Sequence, residues 1–334
     1  MDEIIARRAR LLDALTEGLP VEQSYPLIRE VRLDSAKYRA AQDAVSDYIR
    51  ASLRAAGTNV NGWAPEVMVR LLERELFAMP NVTPNGIIKP KLDNAIEFAL
   101  VHKRVADLVA DLQLPGRVAK MRLPLVLRMV AGVATTEVTG RPRANNVMHS
   151  DFWTGSCCDL ALILPFLGDV ESTTIAFGEP VGAADDFLQE LPSYRDGAAL
   201  YHSIRPYNMR MRKGYIYYQD IYCLHGTLRQ GGGIRVSMDW TVQTANYPEV
   251  EQRHSSRALA TDNHFDLETW NKVGRELMFL DSETVAQTAA RFAAGRGAEK
   301  VALGSAVAGQ TSSTSKVVSL VDAPSVLQLA KETP

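Results

Sequence analysis

The sequence predicts a mainly β protein, a sandwich or barrel flanked by helices, and three observations carry that expectation. Residues up to about 116 are patterned at helical spacing. From there to about 246, short segments rich in Val, Ile, Leu, Tyr and Thr alternate with clusters of Gly, Pro and Asn, and beyond Tyr247 helical spacing returns. Many short strands between turn signals suit antiparallel layers better than parallel strands joined by helices. No Gly-x-Gly-x-x-Gly follows a strand and opens a helix, so a dinucleotide-binding fold has no support.

Each element has its own signal. Residues 2–17 place Ile4, Ile5, Leu11, Leu12 and Leu15 close to a 3.6-residue period. Asp34 or Ser35 caps a second helix that runs to about Ala56, where Gly57 supplies the stop. A third helix over 65–79 carries Val67, Met68, Leu71, Leu72 and Leu76 on one stripe. A fourth over 92–112 ends before Pro115-Gly116. Strands are expected within 121–138 and over 159–167, 173–177, 198–202, 215–218 and 234–244. Helices over 267–280 and 282–294 follow, and the Gly, Ser and Thr of 304–316 read as a flexible tail. The expected organisation is one structural domain: a helical region 1–116 packed on a core 117–246, then C-terminal helices and tail over 247–334.

Composition narrows the partners. The 334 residues are 46% hydrophobic and 23% charged with a formal net charge of −2, so no global basic field recruits nucleic acid or anionic membrane. No apolar run approaches the ~20 residues that span a bilayer. The start, Met1-Asp2-Glu3-Ile4-Ile5-Ala6-Arg7-Arg8, lacks the apolar stretch of a secretion signal. Cys157, Cys158 and Cys223 are odd in number and lack Cys-x-x-Cys spacing. They read as reduced thiols of a cytoplasmic protein, neither a disulfide framework nor a thiolate metal site.

The chemistry is concentrated in Met148-His149-Ser150-Asp151-Phe152-Trp153, Leu224-His225-Gly226-Thr227 and Ile234-Arg235-Val236-Ser237-Met238-Asp239-Trp240. Side chains alternate faces along an extended chain, so an imidazole at 149 and a carboxylate at 151 reach one metal. His225 supplies a third ligand from another strand-like segment. Two His and one carboxylate on one face of an octahedron leave open positions, as in non-haem Fe(II) oxygenases. Ten residues past His225, on a strand expected to return beside the metal as a hairpin, Arg235 offers a planar fork for a carboxylate. Ser237 shares its face and offers a hydroxyl.

These residues resemble the Fe(II)/2-oxoglutarate-dependent dioxygenase superfamily. The resemblance spans about residues 120–245, and His225-Gly226-Thr227 through Arg235 looks like its phytanoyl-CoA-hydroxylase-like branch. It implies a double-stranded β-helix (jelly-roll, cupin-like) core over about 117–246; the change from helical to strand-like texture near Gly116, not the resemblance, sets the expectation of helices from both termini on one outer face. The resemblance further implies His149, Asp151 and His225 as iron ligands, and Arg235 with Ser237 on the C5 carboxylate of 2-oxoglutarate. Fe(II), 2-oxoglutarate and O2 are then the cofactor and cosubstrates, and succinate and CO2 the products. Related halogenases replace the carboxylate ligand with a small residue; Asp151 stands here, so the resemblance favours hydroxylation, desaturation or cyclisation over halogenation, with hydroxylation of an unactivated C–H first. The short core without a basic groove favours a small, natural-product-like substrate.

Other residues admit two readings. Phe152 and Trp153 either wall the pocket or pack the core. Tyr215 and Tyr217 share a strand face as packing groups, and Arg205, Arg210 and Arg212 read as a solvated loop cluster more than an acid-binding patch. His102, His202, His254 and His264 lack partner spacing and read as structural or surface groups. Asn145 and Asn146 sit where an active-site rim would be. The competing function is a cupin-like metal-dependent isomerase, hydrolase or small-molecule binding protein, which has no need of Arg235 and Ser237.

Overall fold

The protein is described from a computed structural model, over residues 1–83, 86–91, 94–132, 148–154, 160–183, 187–192, 194–231, 233–245, 264–272, 276–279 and 316–319. In chain order its elements are α1 (Asp2–Thr16), β1 (Val21–Tyr25), β2 (Ile28–Arg32), α2 (Ser35–Ala55), α3 (Pro65–Leu71), α4 (Glu73–Ala78), β3 (Ile87–Ile88), α5 (Ala95–Val109), β4 (Val118–Arg122), β5 (Val126–Val130), β6 (Leu160–Gly168), β7 (Thr173–Val181), β8 (Ser203–Pro206), β9 (Tyr215–Asp220), β10 (Leu224–Arg229), β11 (Arg235–Thr244), β12 (His264–Asp266), α6 (Leu267–Lys272), β13 (Glu276–Phe279) and β14 (Lys316–Ser319).

The described strands form three antiparallel sheets, of which β13-β14 is a two-stranded pair apart from the other two. The larger runs β1-β2-β9-β6-β11-β4-β12, with β5 also on β11 and β3 on β5; the smaller runs β10-β7-β8. From β6 onward the chain alternates between them: β6 large, β7 and β8 small, β9 large, β10 small, β11 large. Such alternation winds a jelly roll, and the mainly β expectation holds.

Strand β11 shows why the sequence folds this way. Val236, Met238, Trp240 and Val242 are buried against the helices, while Arg235, Ser237 and Asp239 face the cavity between the sheets. Period-2 patterning therefore sends the apolar set to one face and the chemistry to the other. Helices α1, α2, α3, α4, α5 and α6 cover the outer face of the large sheet through Leu12, Tyr48, Met68, Leu76, Phe98 and Trp270. Asp34 caps α2 by accepting from the N–H groups of Ala36 and Lys37 at 3.0 and 2.8 Å, as its position predicts.

Two devices fix the sheet beside the site. Between Val236 and Ser237 the register with β6 slips, so that Ser237 faces Pro165 and Val236 faces Leu167. The carbonyls bulged out there accept from α2: Tyr38 Oη–H donates to Pro165 O at 2.8 Å, and Gln42 Nε2–H to Phe166 O at 2.6 Å. Gly168, at φ +79°, then turns the chain so tightly that a Cβ would lie 1.8 Å from Ile234 O.

The structure departs from expectation at several points. Residues 1–116 are not wholly helical, because β1 and β2 form a hairpin whose second strand joins β9. Polar alternation and Arg and Glu in Val21–Arg32 obscure that pairing. The expected helix over 65–79 is two helices that meet at Leu72, and 198–202 is mostly a 3-10 turn, Asp196–Leu200, with β8 following it. The helix expected over 267–280 stops at Lys272, since Glu276–Phe279 pairs with Lys316–Ser319 as strand. The helix over 282–294 and nearly all of the tail over 304–316 lie outside the described residues. Among those described, no helix is long and apolar enough to cross a membrane.

His102 is structural. It is fully buried on α5, its Nε2 lies 3.2 Å from Trp270 O, and its ring tilts against the Trp270 indole at 4.7 Å. Burial pulls its pKa from the usual 6.5 down to about 4, against the raising effect of that carbonyl. Between those values the unfolded chain binds the extra proton, so stability is full above about 6.5 and falls as pH drops toward 4. The contribution lost from about pH 7 to 5 is about 2 kcal/mol. Urea denaturation of His102→Gln should show an acid-induced loss smaller by that amount; an unchanged loss would contradict the assignment.

Candidate metal centre

The centre begins with a two-residue backbone pairing. His149 and His225 exchange both N–H···O=C bonds at 2.9 Å, which adds a short strand to the small sheet beside β10. Opposed residues of an antiparallel pair project to the same side, so the two rings stand 4.3 Å apart between centroids. His225 is the second residue of β10 rather than the end of a strand. Directly after His149 the chain tightens into a 3-10 turn, Asp151–Thr154, which swings the Asp151 carboxylate under both rings. Asp151 Oδ1 lies 3.9 Å from His149 Nε2 and 3.7 Å from His225 Nε2. One ligand atom from each of the three lies within 4.8 Å of the others.

This donor set fits one divalent ion. Adjacent ligands of an ion bound at ~2.1 Å stand about 3 Å apart, and these need only a small inward shift. Two neutral imidazoles and a carboxylate suit Fe(II) with open positions. His149 is buried and His225 nearly so, while Asp151 is partly exposed, so one side of the centre opens to a cavity of about 330 Å³.

The outer partners fix His225. Its Nδ1 lies 3.1 Å from Cys223 O and 2.9 Å from the Gln219 side-chain amide. A protonated Nδ1 donates to Cys223 O and leaves the Nε2 lone pair free for a metal. Gln219 is wholly buried and its Oε1 has no partner among the described residues. Exchanging the amide's O and N lets Oε1 accept from Nδ1–H and removes that orphan. The turn between Gln219 and His225 is pinned by the fully buried pair Arg8–Asp220, at 2.6 Å, and by Tyr222 N–H donating to Asp220 at 2.9 Å. Helix α1 thus reaches the centre through its own arginine.

Arg235 comes from the opposite wall. The expected hairpin back from His225 does not form: β10 pairs with β7 in the small sheet, and β11 lies in the large one. The chain crosses the jelly roll, so Arg235 reaches the same cavity from across it. Its guanidinium is 2% exposed; one amino group donates to Thr173 O at 2.8 Å and approaches Met211 Sδ at 3.7 Å, and Nε–H has no partner among the described residues. Burial first, then nearby Arg128 and Arg229 against the pull of Asp239, bring its pKa down to about 9. It still carries its charge at neutral pH, in a cavity that it shares with the metal ligands and Ser237. A buried cation with spare donors suits an anion there.

No protein-family model and no curated protein sequence matches the chain. Solved structures do resemble it. A non-haem α-ketoglutarate-dependent carbocyclase from nogalamycin biosynthesis, SnoK, is 12% identical over 64% of this chain and 78% of its own, with a TM-score of 0.35. AviO1 from Streptomyces viridochromogenes Tue57 is 13% identical over 66% and 91%, with a TM-score of 0.39. HygX from Streptomyces hygroscopicus, solved with nickel and 2-oxoglutarate, is 9% identical over 79% and 98%, with a TM-score of 0.38. Likenesses of this strength leave the chemistry of this chain to be read from its own side chains.

The remaining sequence candidates sort cleanly. Phe152 and Trp153 pack the core and do not line the cavity. Tyr217 donates to Glu30 at 2.7 Å, Arg212 pairs with Glu30 and Glu22, and Arg205 pairs with Glu179. Cys223 is a free buried thiol whose pKa burial pushes up; Cys157, Cys158, Asn145, Asn146 and His254 lie outside the described residues. His202 is exposed, and His264 Nε2 lies 2.9 Å from Thr241 Oγ1. Sequence reasoning missed Gln219, Arg128, Asp239 and Tyr194, all of which line the cavity; Tyr194 tilts over His149 at 4.1 Å. The parity of Arg235-x-Ser237-x-Asp239 signals the aspartate, whereas Arg128 emerges only from the register that sets it opposite Ser237.

Gln219→Leu removes the amide partner of His225 and should weaken Mn(II) affinity about 10- to 100-fold. Calorimetric titration of the metal-free protein measures this. Wild-type affinity in the variant would show that Cys223 O alone orients the ring.

Proposed function

We propose that this protein is a non-haem Fe(II), 2-oxoglutarate-dependent oxygenase that hydroxylates a C–H bond of a small molecule, with release of succinate and CO2. The observation that carries the reading is the buried guanidinium of Arg235, held with Ser237 in the same cavity as the His149–Asp151–His225 triad. A cupin-like isomerase, hydrolase or binding protein gives no use to a buried, unneutralised arginine at that place. A role in specialised metabolism belongs to the same reading, as does a small-molecule substrate.

Iron and 2-oxoglutarate together supply the oxidising chemistry, in which one oxygen atom of O2 enters succinate and the other enters the substrate. The chain supplies placement. His149, Asp151 and His225 hold the iron on one side and leave positions facing the cavity. Arg235 and Ser237 receive the distal carboxylate of the cosubstrate, the guanidinium by its fork and the hydroxyl as one further donor. Ile163, Ile175 and Val130 keep part of the wall dry. Gln219 holds His225 in the tautomer that ligates. Asp151 would serve as the carboxylate ligand that the related halogenases lack, so hydroxylation is preferred to halogenation.

Anaerobic protein given Fe(II) and 2-oxoglutarate should develop a weak visible charge-transfer band. Admission of O2 should then release succinate slowly without added substrate. His149→Ala and His225→Ala should lose the band, the succinate and the bound iron together, because two remaining ligands hold Fe(II) poorly in water. A wild-type protein with neither band nor succinate, or variants that keep wild-type iron, would overturn the reading.

A further inference from the structure

Arg128 on β5 and Asp239 on β11 face the same cavity; they bear on Arg235 through charge, and neither is hydrogen-bonded to it or belongs to the His149–Asp151–His225 cluster. Arg128 stands opposite Ser237 in the β5–β11 register, and Asp239 lies two residues further along the same face. Nη2 of Arg128 is 3.4 Å from Asp239 Oδ2, an ion pair without hydrogen-bond geometry, and the two side chains are 32% and 36% exposed. Arg128 Nε and Asp239 Oδ1 are buried without a partner among the described residues. An ion pair with most of its donors and acceptors unspent is an incomplete network at the cavity wall.

We propose that Arg128 and Asp239 form the specificity element for a hydroxyl-rich ring substrate, a sugar or cyclitol, and this inference rests on the oxygenase reading above. The chemistry selects the class. The pair is neutral overall, so a singly charged group would leave one partner opposed by a like charge. Adjacent hydroxyls meet both needs at once, one donating to the carboxylate and its neighbour accepting from the guanidinium, and the ion pair stays intact. A zwitterionic amino acid addresses the same two groups, and L-alanine is the probe for it. Ile163 and Ile175 offer an apolar surface for the ring carbons, and the cavity of about 330 Å³, which the cosubstrate shares, leaves room for a single compact ring at most.

The test uses protein loaded with Mn(II) and 2-oxoglutarate without O2, and reads paramagnetic broadening of the proton spectrum of three probes. These are methyl α-D-glucopyranoside, its deoxygenated analogue 2-methoxytetrahydropyran, and L-alanine. The sugar ring protons should broaden and those of the other two should not. Asp239→Asn and Arg128→Met should each cut the sugar's broadening about fivefold or more, as loss of one hydrogen bond implies. Both variants should keep wild-type affinity for Mn(II), which also reports that they fold. Any change in 2-oxoglutarate affinity should run in opposite directions in the two, weaker without the Arg128 charge and tighter without the Asp239 charge. Equal broadening of the deoxygenated ring, broadening of L-alanine alone, or variants that broaden like wild type would overturn the inference. So would a loss of 2-oxoglutarate affinity in both variants, since the pair would then belong to the cosubstrate. Normal Mn(II) and 2-oxoglutarate binding with no sugar contact overturns this inference alone, whereas failure to bind Mn(II) overturns the oxygenase reading with it.

Discussion

Arg235 is a charge removed from water with no carboxylate to receive it among the described residues, and the site is organised around that imbalance. Moving a guanidinium into the interior costs several kcal/mol unless charge or hydrogen bonds compensate. Here Thr173 O satisfies one donor, Asp239 pulls from along the strand, and Arg128 and Arg229 push the other way. The protein could have dispensed with the cost by placing an apolar residue on that inner face, as it does at Ile163. Retaining arginine there leaves a buried cation with a spare donor facing the cavity, which suits an anion. The helices bear on the consequence: they hold the outer face of β11 so firmly that its inner face keeps one register.

The jelly roll then brings together groups that are distant in sequence. Its winding sets a strand of the small sheet, carrying His225, opposite a strand of the large sheet, carrying Arg235. Metal ligands and anion anchor therefore approach from two walls, and a molecule that touches both must span the cavity. The His149–His225 bridge fixes the ring separation through backbone bonds alone. The 3-10 turn after it, the Gln219 amide and the Arg8–Asp220 pair refine the aim of each side chain. Loss of any one of these last three loosens the centre without removing a ligand.

Much of this was legible in the residues, and the failures have physical causes. That His149, Asp151, His225 and Arg235 come together at one cavity was readable, because metal and carboxylate chemistry restrict both residue type and parity. The switch from helical to strand texture near Gly116 marked where most of the strands begin, although β1, β2 and β3 of the large sheet precede it, and Asp34 and Gly57 bounded α2 by capping alone. The β1–β2 hairpin was not legible, because its polar pattern reflects an edge position with water on one side. The two-sheet route to Arg235 was also hidden: a spacing of ten residues is equally compatible with a hairpin and with a crossing between layers. Gln219 escaped notice because its role depends on His225 standing beside it, a contact set by the turn at Asp220–Cys223 and not by any local motif.

The central claim is that Arg235 exists to receive the distal carboxylate of 2-oxoglutarate beside a metal that it does not touch. Calorimetry of 2-oxoglutarate binding to anaerobic Mn(II) protein tests this directly. Removing one partner of a buried charge pair costs about 2–5 kcal/mol, so Arg235→Ala should weaken binding by roughly 30-fold or more while Mn(II) affinity stays put. Arg235→Lys should recover part of the loss, since an ammonium keeps the charge without the planar fork. Ser237→Ala should cost only about 1 kcal/mol, the worth of one hydroxyl hydrogen bond. Unchanged 2-oxoglutarate affinity in Arg235→Ala would contradict the account.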